Sequence, residues 1–150
     1  MLFKTADIGI QYASLHPALR RALAETESVI IGWGLAPITI TDAVRTKTEN
    51  TAIYTAVNIG KGMHPRDAAL KAQAQWSWHV CSCGADFRSS GKHYTDEEWK
   101  RILAWLKNHF GDSMWEALLH DVGLGFHGHL AFRDWDWRRK WETQTKGGTV

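Results

Sequence analysis

The sequence has little of several features that mark particular classes of protein. Two cysteines in 150 residues are too few for a disulfide framework. No apolar run approaches the roughly 20 residues that a membrane-spanning helix needs. The formal net charge of +2 is too small to indicate nucleic-acid binding. We therefore expect neither stable membrane insertion nor a nucleic-acid partner.

The remaining composition is that of a globular protein. Hydrophobic residues make up 44% of the chain and charged residues 23%, and 150 residues normally form one domain. Eight histidines and nine tryptophans are many for this length. We predict one domain over residues 1–133, followed by a Trp-rich basic tail over residues 134–150 with residues 146–150 disordered.

Periodicity and capping signals predict a mixture of helices and strands. One helix begins near Ser14 and ends at Gly32, and the clearest one follows the capping box Thr95-x-x-Glu98 and ends at Gly111. Further predictions are a helix over 46–59, a short helix or flap over 61–75, and strands over 37–44, 78–88, 114–122 and 124–133. Because the order lacks regular βαβ alternation, we predict an α+β fold with a small antiparallel sheet flanked by helices.

The last predicted strand carries two histidines on one face. His127 and His129 are two residues apart, so on a strand they project to the same side. Phe126, Leu130 and Phe132 alternate with them and are predicted to form the opposite, buried face. Paired imidazoles beside a regular apolar face indicate a site.

A second segment offers ligands of the same kind. His79 and Asp86 are seven residues apart, so one regular strand would point them to opposite faces. A shared site therefore needs a bend or bulge between them, and Gly84 is where we expect it. Two imidazoles and one carboxylate form a three-ligand set typical of catalytic zinc, which keeps a fourth position for water.

These two segments resemble zinc peptidases of the LAS group, which includes D-alanyl-D-alanine carboxypeptidases, VanX-type dipeptidases, phage L-alanyl-D-glutamate endolysins and the Hedgehog signalling domain. The family motif Ser-x-His-x-x-Gly-x-Ala-x-Asp is matched at Ser77, His79 and Asp86, while Ser82 replaces the Gly and Gly84 the Ala. The order of segments upstream is similar to the endolysin branch: Leu15-His-Pro-Ala-Leu19 opens a helix, and Val44-Arg45-Thr46 follows a strand. The similarity extends from Leu15 to Arg133.

The resemblance implies a role for each matched residue. His79, Asp86 and His129 would bind Zn²⁺, and His127 would lie beside the metal to hydrogen-bond an oxyanion or move a proton. Arg45 would hold a substrate carboxylate or stabilise developing negative charge. The general base would be Asp121, if the Gly-rich turn folds it back, or His127. If neither serves, the protein would bind zinc without hydrolysis.

The resemblance also implies a Hedgehog/DD-peptidase-like fold and a zinc-dependent peptidase that cleaves stem-peptide bonds of peptidoglycan. The N-terminus lacks the basic and apolar regions of a secretory signal. We therefore expect a monomeric phage lysis enzyme, made in the cytoplasm and acting on the bacterial cell wall after release. The alternatives are a non-catalytic zinc-binding module of the same fold, and a wall-binding or nucleic-acid-binding protein that uses the tail.

Two further features each allow two interpretations. Cys81 and Cys83 are either small buried thiols or a soft metal pair with His79. The tail tryptophans either pack back onto the domain, or stack on sugars or bases or bind at a membrane surface. They are Trp135, Trp137 and Trp141.

Overall fold

The computed structural model describes residues 1–111, 115–120 and 126–147. These residues form six helices, one 3-10 turn and five strands. The helices are α1 (Ala6–Ser14), α2 (Pro17–Gly32), α3 (Lys47–Gly60), α4 (Pro65–Ala74), α5 (Asp96–Phe110) and α6 (Trp135–Gly147). The strands are β1 (Leu2–Phe3), β2 (Ile38–Asp42), β3 (Gly84–Ser89), β4 (Trp115–His120) and β5 (His127–Phe132), and the 3-10 turn spans Trp78–Cys81.

The five strands form one sheet in the order β1-β2-β3-β5-β4. The pairs β2–β3, β3–β5 and β4–β5 are antiparallel, whereas β1 runs parallel to β2. The α+β prediction is therefore confirmed. The sheet is mixed rather than wholly antiparallel, because β1 runs parallel to β2. The sequence signals did not reveal β1.

The two faces of the sheet have different roles. One face packs into the main hydrophobic core against side chains from α2 and α5, and it includes Ala85, Phe87, Ala117, Leu130 and Phe132. Gly128 lies on this face opposite Phe87, and a Cβ there would come within 2.6 Å of the Phe87 ring. The glycine is required because the ring occupies the space that a side chain would fill. The opposite face carries the polar residues of the candidate site.

Most predicted helix boundaries are confirmed. The capping box at Thr95 and Glu98 starts α5, and Gly111, with φ of 75°, follows its end. Thr46 caps α3 in the same way, through Glu49. Helix α2 is capped by His16 and not by Ser14, because Ser14 is the last residue of the preceding helix α1.

Two other predictions are wrong. Phe126 was expected on the buried face of β5, but it precedes the strand and is 64% exposed. The strand predicted over 78–88 begins only at Gly84, because residues 78–81 form the 3-10 turn. The segment 61–75 contains the short helix α4.

The tail forms α6, which packs on the 3-10 turn. The indole N–H of Trp137 donates to the Cys81 carbonyl at 2.9 Å, and Trp141 meets Trp76 with ring centroids 5.8 Å apart. Trp135 contacts Trp78 but stays 56% exposed. Packing against the domain is thus shown for these tryptophans. Of the stretch predicted as disordered, residues 148–150 lie outside the described residues, and α6 runs to Gly147.

Within the residues that the structure describes, no helix combines the length and apolar character needed to cross a membrane.

The cap of α2 predicts a pH dependence of stability. His16 Nδ1 accepts from the Ala18 N–H at 3.1 Å, and Nε2 lies 3.5 Å from Asp134 Oδ2. Burial lowers the pKa of His16 from its ordinary 6.5, although Asp134 opposes this. Since the unfolded chain then binds the proton more readily, the free energy of unfolding should fall as the pH drops through 6.5 towards the lower folded pKa.

The measurement is urea unfolding of the native chain and His16→Asn at pH 7.5 and pH 5.5. Asparagine is also a good cap but does not titrate. We expect the native chain to lose more stability than the variant on acidification. Equal losses in the two proteins would contradict the assignment.

Candidate metal centre

Two imidazoles and one carboxylate converge on the polar face of the sheet. One potential ligand atom from each of His79, Asp86 and His129 lies within 4.8 Å of the others, and all three residues are buried. His79 Nε2 is 3.3 Å from both Asp86 Oδ1 and His129 Nδ1. His129 Nδ1 and Asp86 Oδ1 are 2.8 Å apart.

These separations fit a tetrahedral metal ion. Zinc with bonds of about 2.0–2.1 Å holds its ligand atoms about 3.3 Å apart. Two of the three separations have this value already. The third is a hydrogen-bond distance, so it must open by a few tenths of an ångström. Three protein ligands of this kind leave a fourth position for water or substrate, as in catalytic zinc sites.

Strand pairing places two of the ligands. Asp86 on β3 and His129 on β5 are direct partners in the antiparallel register, so their side chains share a face. His127 precedes His129 by two residues and lies on that face too, with Nε2 3.6 Å from Asp86 Oδ2. The expectation that the two histidines project together is confirmed.

The third ligand comes from the 3-10 turn. The Ser77 hydroxyl accepts from the His79 N–H at 3.3 Å, and Ser82 ends the turn with a left-handed φ of 62°. Gly84 allows β3 to start directly beneath this turn, because a Cβ there would lie 2.8 Å from the His79 nitrogen. The expected break between His79 and Asp86 is therefore present, but it is a bend made by the turn before Gly84 and not a bulge at Gly84 itself.

A carbonyl group fixes the orientation of His79. Its Nδ1 lies 2.7 Å from the Ala43 oxygen, which can only accept. Nδ1 must therefore carry a proton, so Nε2 is the ring nitrogen that faces Asp86 and His129 and can serve as the metal ligand. Metal-binding histidines are commonly oriented by such a hydrogen bond.

Arg45 holds the carboxylate ligand from the other side. A terminal guanidinium nitrogen of Arg45 is 3.1 Å from Asp86 Oδ2, and its Nε donates to Asp42 Oδ2 at 2.6 Å. The structure thus shows Arg45 in contact with a candidate ligand. Its expected action on a substrate carboxylate or on developing negative charge stays a prediction.

Asp86 is charged in this environment. Burial by itself would raise its pKa, but the neighbouring His79 and His129 hold the pKa well below its ordinary value. An ionised carboxylate is the form that binds a metal ion. The buried cluster is therefore suited to a divalent cation.

The ligands line a cleft of about 350 Å³. Its wall also includes Glu116 on β4, a carboxylate to which no sequence spacing assigned a role. Leu118 pairs with His129 and Glu116 pairs with Ala131, so Glu116 shares the ligand face. The Glu116 side chain is 27% exposed and lies 3.5 Å from an Arg133 nitrogen. The available signal was its alternation with Ala117 and Leu119, which are packed in the core.

The remaining predicted site residues have different outcomes. Asp121 lies outside the described residues, so its role as a base stays a prediction. Cys81 and Cys83 are free thiols buried in a small cluster with Trp78 and Ala131. Neither belongs to the potential metal group found among the described residues.

No protein-family model, curated protein or solved structure matches the chain. The family resemblance thus rests on the motif residues themselves.

Metal binding provides the first test of the site. Asp86→Asn and His129→Ala each remove one of three ligands, so zinc affinity should fall by more than about 100-fold, beyond the 10–100-fold typical of losing an orienting partner. Zinc should also raise the midpoint of thermal unfolding in the native chain but not in these variants.

Isothermal titration calorimetry with ZnCl₂ and thermal melts provide the measurements. His93→Ala is the matched control, because His93 is exposed and outside the cluster. Native-like zinc affinity in either ligand variant would refute the site.

Proposed function

We propose that the protein is a zinc-dependent peptidase that hydrolyses stem-peptide bonds of bacterial peptidoglycan. The observation that carries the proposal is the convergence of His79, Asp86 and His129 on one side of an open cleft. The LAS-type motif order supports the same chemistry. A bound zinc would supply an acidified water and an electrophile for the scissile carbonyl.

Glu116 is a further candidate base among the described residues. It lines the cleft with the three ligands and presents a partly exposed carboxylate on their face. A carboxylate in that position can accept a proton from the attacking water and return it to the leaving amine. Asp121 and His127 remain alternative bases, and the experiment below includes Glu116 and Asp121.

His127 and Arg45 both lie near Asp86 Oδ2 and would support the reaction in different ways. His127 lies beside the ligands and lines the cleft, so it can donate a hydrogen bond to the oxygen that becomes negative during attack. Arg45 keeps Asp86 in its binding orientation through the contact at 3.1 Å. Orienting partners of this kind affect both metal affinity and activity.

The cleft favours a peptide that carries carboxylates. Its larger lobe has an apolar and aromatic wall with Ile53, Tyr54 and Val57. A neighbouring pocket of about 300 Å³ shares Asp86 and His127 with this cleft and is lined by Lys4 and Arg88. We call it the basic lobe because its two carboxylates, Asp42 and Asp86, are both paired with Arg45. Peptidoglycan stem peptides are short and bear free carboxylates. An apolar part of such a peptide can lie against the first wall and a carboxylate beside Lys4 and Arg88.

The biological setting follows from this substrate. We propose a monomeric phage lysis enzyme, made in the cytoplasm, that reaches peptidoglycan after release. Within the described part of the chain, the finding that no helix could span a membrane is compatible with this setting. The packing of Trp137 and Trp141 gives less support to a wall-binding or nucleic-acid-binding role of the tail.

Substitution of the base distinguishes a peptidase from a non-catalytic zinc module. Glu116→Gln should reduce the release of amino groups from purified peptidoglycan by about 10²–10⁴-fold, because it removes proton transfer. Its zinc affinity should remain that of the native chain, since Glu116 is not a ligand. Glu97→Gln, an exposed change on α5, should leave the rate unchanged.

Asp121→Asn is measured in parallel. A large loss in this variant with full activity in Glu116→Gln would transfer the role of base to Asp121. If the zinc-loaded native chain releases no amino groups at any pH, the peptidase proposal fails and the zinc module remains.

The basic lobe predicts a preference for acidic substrates. Lys4→Gln and Arg88→Gln should each raise KM about 2- to 5-fold for a stem peptide with free carboxylates, which is the range of a solvent-exposed ion pair. The KM for the same peptide with amidated carboxylates should not change. Lys107→Gln on α5 is the control. Equal changes in KM for both peptides would contradict the assignment of the lobe.

A further inference from the structure

The segment that carries His79 is held from outside by three different elements. Three consecutive backbone carbonyls shortly after His79 each accept a hydrogen bond, two from backbone N–H groups and one from a side chain on α6. The acceptors are Cys81, Ser82 and Cys83, and their donors are the Trp137 indole at 2.9 Å, the His16 N–H at 2.8 Å and the Phe132 N–H at 2.8 Å, respectively. The contact from Trp137 is therefore the one of the three that a side-chain substitution can remove.

The contact from Trp137 reaches His79 through a single peptide group. The oxygen of the peptide group between Cys81 and Ser82 accepts from the indole, and its N–H donates to the His79 carbonyl at 3.2 Å. The same His79 carbonyl accepts from the Arg45 N–H at 3.3 Å. Because a peptide group is planar and rigid, a rotation at its oxygen end also moves its N–H. Trp137 is thus connected to the backbone of a candidate ligand through one rigid unit.

The backbone at this peptide group depends on its external contacts. Ser82 has a φ of 62°, a left-handed conformation that is unfavourable for a residue with a side chain and persists where surrounding contacts hold it. Cys81 is fully buried, so without the indole its carbonyl would lose the donor that the structure shows and could not turn to water instead. We therefore expect the peptide group to rotate when the donor is removed, which would release the His79 carbonyl.

Trp137 itself has a defined position on the domain. Its backbone N–H donates to Asp134 Oδ1 at 2.8 Å, so Asp134 caps the start of α6. Its ring packs edge to face on His16, with ring centroids 4.5 Å apart. His16 is also the residue whose N–H donates to the Ser82 carbonyl. The indole and the turn are therefore fixed against the same residue, which sets the direction from which the indole N–H approaches.

We propose that Trp137 is a positioning residue for His79. Through the Cys81–Ser82 peptide group, it holds His79 where the ring nitrogen Nε2 meets Asp86 and His129. Helix α6 is then part of the metal site and not a separate binding module. The inference rests on the proposed function for the metal that His79 binds, and it gives the Trp-rich tail a role in that site.

Trp137→Phe tests the proposal in the full chain, because it keeps an aromatic ring beside His16 but removes the N–H donor. Zinc affinity, measured by competition with a chromophoric chelator, should fall about tenfold. This is the lower end of the 10–100-fold range for orienting partners, since Trp137 acts on the ligand through a peptide group. The visible absorption spectrum of bound Co²⁺ should change as well, because it depends on the geometry of the ligands.

Trp105→Phe is the matched control. It makes the same substitution at a half-buried tryptophan on α5, whose ring contacts His109 and Phe110, and it should change neither the zinc affinity nor the Co²⁺ spectrum. Circular dichroism verifies that both variants are folded. Native affinity with a native Co²⁺ spectrum in Trp137→Phe would overturn the proposal. Equal losses of affinity in the two variants would also overturn it, since they would reflect general destabilisation.

A measurement without metal separates this result from the proposed function. The Nδ1 proton of His79, which is hydrogen-bonded to the Ala43 carbonyl at 2.7 Å, is followed by ¹H–¹⁵N NMR in the metal-free chain. Its resonance should shift or broaden in Trp137→Phe and stay unchanged in Trp105→Phe. If the native chain binds no zinc, the metal site fails, but a shift in Trp137→Phe still supports the positioning of His79 and an unchanged resonance overturns it. If the native chain binds zinc but leaves peptidoglycan intact, the peptidase proposal alone fails.

Discussion

The pairing of β3 with β5 is the constraint on which the candidate site depends. In this register Asp86 faces His129 directly, and the alternation of the two strands assigns one face to the core and the other to the ligands. A shift of one residue would exchange the faces and move Phe87 and Leu130 out of the core. The hydrophobic core and the metal ligands are thus held in place by the same set of backbone hydrogen bonds.

The buried carboxylate of Asp86 explains why so many polar groups gather there. An isolated charge in a protein interior is strongly unfavourable unless it is paired and hydrogen-bonded. Here the two histidines and Arg45 provide the compensation, and Asp42 in turn holds Arg45. The Ala43 carbonyl orients His79 from the same stretch of chain. The segment after β2 therefore orients the candidate ligands but contributes no candidate ligand of its own.

Local signals revealed much of this structure in advance. The capping box of α5 and the alternation around His129 depend on residues near one another in sequence, and both were predictable. The 3-10 turn at His79 was not, because its direction depends on how closely Gly84 lets β3 approach. Phe126 was misplaced because alternation shows which residues share a face but not where a strand begins.

Glu116 was missed for a different physical reason. Its position depends on the register of β4 against β5, and the connection between these strands contains no signal that fixes register. Strand β1 was also missed, since two residues pairing at a sheet edge leave no periodic pattern. The sequence could supply the three candidate ligands, whereas the groups around them depend on long-range pairing.

The glycine between the two histidines of β5 has a broader consequence. Because Gly128 has no side chain, the Phe87 ring lies directly against the backbone that carries His127 and His129. At this position no side chain separates the Phe87 ring from the backbone of β5. The spacing of the candidate ligands is therefore coupled to the volume of a single aromatic ring. Repacking of the interior would also change the geometry of the candidate metal centre.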